Sequence, residues 1–212
     1  MARGTPQRDV IALAVSQHGV IGSDDARSIG VEAVRLRQMA ARGVLRRVSR
    51  GVYRLTDLDP GTGLGRYMEA VLWPRGVRGV LSHETALDLH DLCDVNPSRI
   101  DVTVPANHRP HSREVPAPIR LYRRVLGKDE VTDLMGLPIV TPVRAILDGI
   151  ESQFRDGLLR QAISTLRRRG ELRPRDEERV FAALYSRSRG EPSDVFSPSE
   201  PFPQRERPLT LD

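Results

Sequence analysis

Residues Val31 to Leu55, VEAVRLRQMAARGVLRRVSRGVYRL, leave the chain few ways to fold. A helical period runs into a glycine and then into two segments rich in β-branched residues, separated by Ser49-Arg50-Gly51. Leu36, Met39 and Ala40 stand at i, i+3 and i+4 and share one face of a helix. A rotation of about 100° per residue places Val34, Gln38, Ala41 and Val31 on the opposite face. Arg35 and Arg42 edge that face on one side and Arg37 on the other. Gly43 supplies a C′ position, and Val44 to Val48 with Val52 to Leu55 then read as a hairpin of three-residue loop type. This is the order of a recognition helix followed by a wing.

A narrow face of small apolar groups and one amide, edged by guanidiniums, matches a DNA major groove. Gln38 can pair with an adenine edge, methyl groups can touch thymine, and the flanking arginines can reach phosphates. An ordinary amphipathic helix with a solvated basic face has the same pattern, and the hairpin shifts the balance. Its strands and tip carry Arg46, Arg47, Arg50 and Arg54, with Tyr53 adding a ring and a hydroxyl, groups suited to phosphates and a narrow minor groove.

Charge is distributed in the same sense. Of the formal charge of +5, residues 1–56 hold ten arginines (3, 8, 27, 35, 37, 42, 46, 47, 50 and 54) against Asp9, Asp24, Asp25 and Glu32, while residues 57–187 are nearly balanced and the remainder is net negative. Cys93 is the single cysteine, which excludes an internal disulfide and fits a reducing compartment. No apolar stretch reaches the roughly 20 residues of a membrane span, and MARGTPQRD has no signal-peptide h-region. The expectation is a cytoplasmic protein without a membrane partner.

Upstream, Thr5-Pro6 opens a first helix as N-cap and N1, Val20-Ile21 forms a short strand, and Ser23 caps a second helix. Helix, strand, helix, turn, helix and hairpin within residues 1–56 predict a winged helix-turn-helix. RGVLRRVSRGVYRL (Arg42–Leu55) and the preceding segment resemble the N-terminal domain of AbiEi-type antitoxins of type IV, abortive-infection, toxin–antitoxin systems. SHETALDLHDL (Ser82–Leu92), the strand Ile100 to Pro105, and LPIVTPVRAILD (Leu137–Asp148) are similar to later blocks of such proteins. The resemblance implies a repressor of its own operon that binds double-stranded operator DNA and counteracts a nucleotidyltransferase-like toxin.

DLDPGTGLG (57–65) reads as a linker. Residues 66–187 read as a mixed α/β domain, giving an α+β chain overall: helices at Arg66–Leu72, His83–Leu92, Val143–Ile150, Gln153–Arg169 and Pro174–Arg187, and strands at Ile100–Val104, Ile119–Val125 and Leu137–Val140. Ala106–Pro118 is a polar loop, and the Pro- and Ser-rich tail 188–212 is expected to be disordered.

The sequence argues against an enzyme. His83, His90 and Cys93 fall on one helical stripe, but no fourth metal ligand is placed and His83-Glu84 lacks the second histidine of a zincin, so buried, hydrogen-bonded histidines are expected, with no metal or cofactor. Lys128 follows Leu126 at the position where a nuclease needs a carboxylate, and neither a P-loop nor a Gly-x-Ser-x-Gly arrangement occurs. Arg144 and Asp148, at i and i+4, read as a helix pair with a structural role. Arg160, Arg167, Arg168, Arg169 and Arg173 form a second basic cluster, available to DNA, to the toxin or to RNA, or simply a solvated helix end. The alternative to an antitoxin is a stand-alone winged-helix regulator whose second domain binds a ligand or dimerises.

Overall fold

The computed structural model describes residues 6–57, 63–109 and 115–190. Thr5, most of the expected linker, His111, Arg113 and the tail beyond Gly190 lie outside them. The chain is of mixed α+β class.

Helix α1 (Pro6–Ser16) leads into strand β1 (Val20–Gly22), helix α2 (Ser23–Ser28), helix α3 (Ala33–Ala41) and strands β2 (Leu45–Ser49) and β3 (Val52–Leu55). The strands form an antiparallel sheet in the order β1-β3-β2. Gly22, rather than the expected Ser23, is the N-cap of α2: its N–H donates to Asp25 Oδ2 at 3.2 Å. Ser23 is bound to the hairpin tip instead, its N–H and its hydroxyl both donating to Gly51 O, at 2.7 and 3.2 Å.

In the small sheet β1 and β3 are covered on both faces, whereas β2 is largely exposed. Side chains alternate across a strand, so Tyr53 and Leu55 of β3 point one way and Val52 and Arg54 the other. Ile21, Leu45, Tyr53 and Leu55 pack with Val10, Leu36 and Met39 in a core beneath the three helices. Val20 and Val52, both fully buried, belong to the larger core of the rest of the chain. Helix α4 (Gly65–Leu72) covers that second face, and Arg54 pairs with its Glu69 at 2.8 Å. Packing therefore crosses the expected division at 57–65. Arg78 binds Asp25 at 3.1 Å and also Gln17, Gly76 N–H donates to Asp24 Oδ2 at 2.8 Å, and His18 Nε2 meets Met135 O at 2.7 Å.

The second sheet has five strands in the order β6-β5-β4-β8-β7: β4 (Val80–Leu81), β5 (Ile100–Val104), β6 (Ile119–Arg123), β7 (Val131–Leu134) and β8 (Leu137–Val140). It is mixed, with β4 antiparallel to β5 and parallel to β8. Helices α5 (His83–Leu89), α6 (Pro142–Glu151), α7 (Asp156–Arg169) and α8 (Pro174–Arg189) complete it. Thr141 caps α6 as read, accepting from Arg144 N–H at 3.4 Å with Pro142 following. Two helices are shorter than expected. Gln153, at φ 59°, separates α6 from α7, and Asp91, at φ 52°, follows the end of α5 at Leu89, so the stripe joining His83 to Cys93 does not exist.

Arg144 is not a surface residue. It is 1% exposed, its Nε and Nη2 donate to Asp148 Oδ1 at 2.9 and 2.6 Å, and Nη1 reaches Glu130 Oε1 at 3.3 Å. Glu130 also receives Arg179 of α8 at 3.4 Å, so one buried network joins α6, α8 and the turn before β7. Each buried carboxylate in it has a guanidinium partner, the condition under which burying ions is tolerable.

Candidate nucleic-acid interface

The exposed face of α3 is set by what its other face buries. Leu36 and Met39 anchor the helix in the first core, and Val34, Arg37, Gln38, Ala41 and Arg42 are left in solvent, Val34 at 49% exposure. Arg35, half-buried, donates from Nη1 to Gln38 Oε1 at 3.3 Å and holds that amide on the helix surface. Val31 departs from its expected place on this face: it precedes α3, whose N-cap is Glu32, and is buried in the core. Gly43 takes φ 77°, a conformation that favours glycine, and Val44 N–H closes on Met39 O at 3.0 Å, turning the chain directly into β2.

The hairpin is tighter than a three-residue loop. Ser49 pairs with Val52, leaving Arg50-Gly51 as the turn, and the register shift between Arg47 and Ser49 makes Val48 a bulge residue. Gly51 at φ 83° is required by this turn and by its neighbours. A Cβ there would lie 3.0 Å from Arg75 Nε and 3.3 Å from Ser23 Oγ. Arg75, from the turn after α4, is thus a basic neighbour of the tip that no local motif announced.

Arg46, Arg47 and Arg50 are exposed, and Arg47 Nε donates to Ser49 O at 3.3 Å. Two residues assigned to the interface by sequence are turned away from it. Tyr53 is 4% exposed because it faces the first core, and Arg54 faces α4 in its pair with Glu69. Both sit on the central strand, where neither face is open. What remains together is α3 with Arg35, Arg37, Gln38 and Arg42, followed by Arg46, Arg47 and Arg50 along β2 and its turn.

The second basic cluster is largely engaged within the fold. Arg167 pairs with Glu177 and lies 5.2 Å over the Phe181 ring. Arg168 donates to Thr165 Oγ1 at 3.1 Å. Arg169 donates to the carbonyls of His90 and Asp91, both at 2.8 Å, closing the end of α5. Arg173 pairs with Asp176 at 2.9 Å, while Arg160 is exposed on α7.

The histidines have separate settings. His83 stacks on Tyr122 with centroids 3.4 Å apart, and burial, aided by Arg144, holds its pKa down at about 3, so the ring is neutral. Ser82 Oγ lies 2.9 Å and Asp148 Oδ2 3.8 Å from the same nitrogen, Nδ1, which is not the wiring of a catalytic triad, where base and orienting acid use opposite ring nitrogens. His90 Nε2 meets Val140 O at 2.8 Å, and burial pushes the Cys93 thiol up to about 11. Among the described residues no group of three His, Cys, Asp or Glu side chains is arranged to hold a metal ion, and no helix is long and apolar enough to cross a membrane.

Residues 8–56 match the family described as transcriptional regulator, AbiEi antitoxin. No curated relative matches the chain in sequence. Among solved structures, the RV2827C protein from Mycobacterium tuberculosis aligns at 16% identity over 89% of this chain and 78% of that chain, with a TM-score of 0.42, a likeness too distant to bear on function.

Proposed function

We propose, from the place of residues 8–56 in the AbiEi antitoxin family, that this regulator reads operator DNA through a winged helix-turn-helix. In this reading α3 enters the major groove and the hairpin is the wing. The observation that carries it is the solvent-facing set Val34, Gln38 and Ala41, edged by Arg37 and Arg42 and continued by Arg46, Arg47 and Arg50. Gln38 supplies base discrimination, and the arginines supply the salt-dependent, sequence-independent part of the affinity. In this reading the remainder of the chain, whose blocks Ser82–Leu92 and Leu137–Asp148 resemble those of such antitoxins, counteracts a nucleotidyltransferase-like toxin, and DNA binding represses the operon that encodes both. Rescue from a co-expressed neighbouring toxin tests that part.

The DNA reading is tested by two substitutions in the full chain that fail differently. Gln38→Ala removes a base contact, so discrimination at one operator position drops by about 1 to 3 kcal/mol while non-specific binding persists. Arg50→Ala weakens binding to all sequences and makes the plot of log K against log salt shallower by about one unit. Titrations of matched and scrambled operators at several salt concentrations separate the two. Equal, uniform losses with equal slope changes would show that α3 does not read bases.

A further inference from the structure

Between the hairpin and the second core lies a cleft of about 420 Å³, within the range of small-molecule sites. Both parts of the molecule wall it. Val48 and Ser49 enter from the bulged end of β2, and Trp73, Ile100 and Ile119 supply apolar surface from the other side. Val48 is 37% exposed, an uncovered apolar side chain at the rim.

Four charged side chains line the cleft: Arg66, Arg99, Glu69 and Asp88. Glu69 is already engaged by Arg54, which is not itself a wall residue. One positive charge is therefore in excess beside the apolar surface of Trp73, Ile100 and Ile119. We propose that the cleft binds a small monoanion with an aromatic or branched apolar body, and that its occupancy is felt by the hairpin. Coupling follows from placement: Val48 and Ser49 belong to β2, and Glu69 anchors Arg54 of β3. The coupling rests on the DNA-reading assignment, whereas ligand binding does not.

The test uses the full chain and anilinonaphthalene sulfonate, a fluorescent aromatic monoanion. Trp73 is the only tryptophan, so energy transfer from it requires a dye bound in its neighbourhood, and the Arg99→Gln variant assigns that dye to the cleft. Expected are one saturable site with transfer and displacement by benzoate about tenfold better than by uncharged benzamide, reflecting the charge-assisted contact. Arg99→Gln, at an exposed position, weakens the dye several-fold without lowering the unfolding midpoint, and Arg175→Gln, on α8 and outside the cleft, leaves it unchanged. Dye binding without transfer, equal displacement by benzamide, or parent-like affinity of the Arg99→Gln variant would overturn the site. Saturating benzoate is further expected to change operator affinity by about fivefold or more. An operator affinity indifferent to benzoate would remove the coupling alone, because Gln38→Ala tests base reading independently.

Discussion

Cutting the chain after Asp57 removes the partner of one whole face of the β1-β3-β2 sheet. In the intact molecule Val20 and Val52 are fully buried against the larger core. In a fragment of residues 1–57 both face water, and fully burying a valine is worth about 1.5 to 3 kcal/mol, so the loss is about 3 to 6 kcal/mol. The broken ion pairs add little. Asp25 loses Arg78 in the fragment and keeps the Gly22 N–H, which still donates to its carboxylate. At roughly 0.05 to 0.15 kcal/mol per residue, a domain of this length has about 3 to 9 kcal/mol in total, so the fragment is marginal or unfolded. Urea unfolding followed by circular dichroism measures this directly. Val20→Thr with Val52→Thr, which keep β-branched side chains but suit an exposed face, are expected to recover part of the loss in the fragment and to destabilise the full chain. A fragment unfolding cooperatively with the same stability as the region has in the full chain, and gaining nothing from the threonines, would refute the shared-sheet reasoning.

Three further outcomes are expected. Arg144→Met leaves Asp148 and Glu130 buried without their shared guanidinium and costs about 3 to 5 kcal/mol, read as a fall in Tm of very roughly 6 to 20 °C that shrinks in acid as the carboxylates protonate. His83, held down at about 3, makes stability fall as pH drops below its ordinary 6.5, because the unfolded chain takes up a proton that the folded chain refuses; Asp101, pushed by burial up to about 6 against the pull of Arg120, makes stability rise as pH drops from there toward 3.8. The two slopes oppose each other between about pH 4 and 6, each on the order of 1 kcal/mol per pH unit, so relative to the parent His83→Gln tilts stability downward with rising pH and Asp101→Asn tilts it upward; unfolding midpoints across that window check this, and parallel profiles for parent and variants would count against it. Gly65→Ala places a Cβ into Arg54 and 3.0 Å from His18 O, costing about 1 to 3 kcal/mol, whereas Gly157→Ala, with open space around it, is neutral or slightly stabilising in the same unfolding assay.

The α3 face and the hairpin were legible because their signals are local: a helical period, a glycine at C′ and the Ser49-Arg50-Gly51 tip, although pairing of Ser49 with Val52 makes the turn one residue tighter than read. Two-sided burial of β3 was not. In VYRL the alternation places Tyr53 and Leu55 together, and the other face reads as polar because Arg54 occupies it; only Glu69, outside the hairpin, shows that this arginine faces inward. Strand β4 is two residues long and β7 is VTDL, so neither gives a periodic signal above its surroundings. Arg144 and Asp148 look the same in sequence whether exposed or buried. Their burial is decided by Glu130 and Arg179, contributed by elements too distant in the chain for any spacing rule.

The order in which the chain is made adds a last consequence of the five-stranded sheet. The N-terminal helices and hairpin close through contacts near in sequence, the kind that form fast. Strand β4 sits at the centre of its sheet, and its parallel partner is β8, with Leu81 opposite Ile139. During synthesis, which proceeds from the N-terminus, β4 and the apolar side of α4 wait through β5, β6 and β7 before that partner exists. Nascent molecules thus pass through an interval in which Val20 and Val52 have nothing finished to rest against. Ribosome-bound chains arrested before Leu137 are the species in which aggregation and proteolysis should concentrate, and the exposure ends only once β8 and the core side chains of α6, α7 and α8 have emerged.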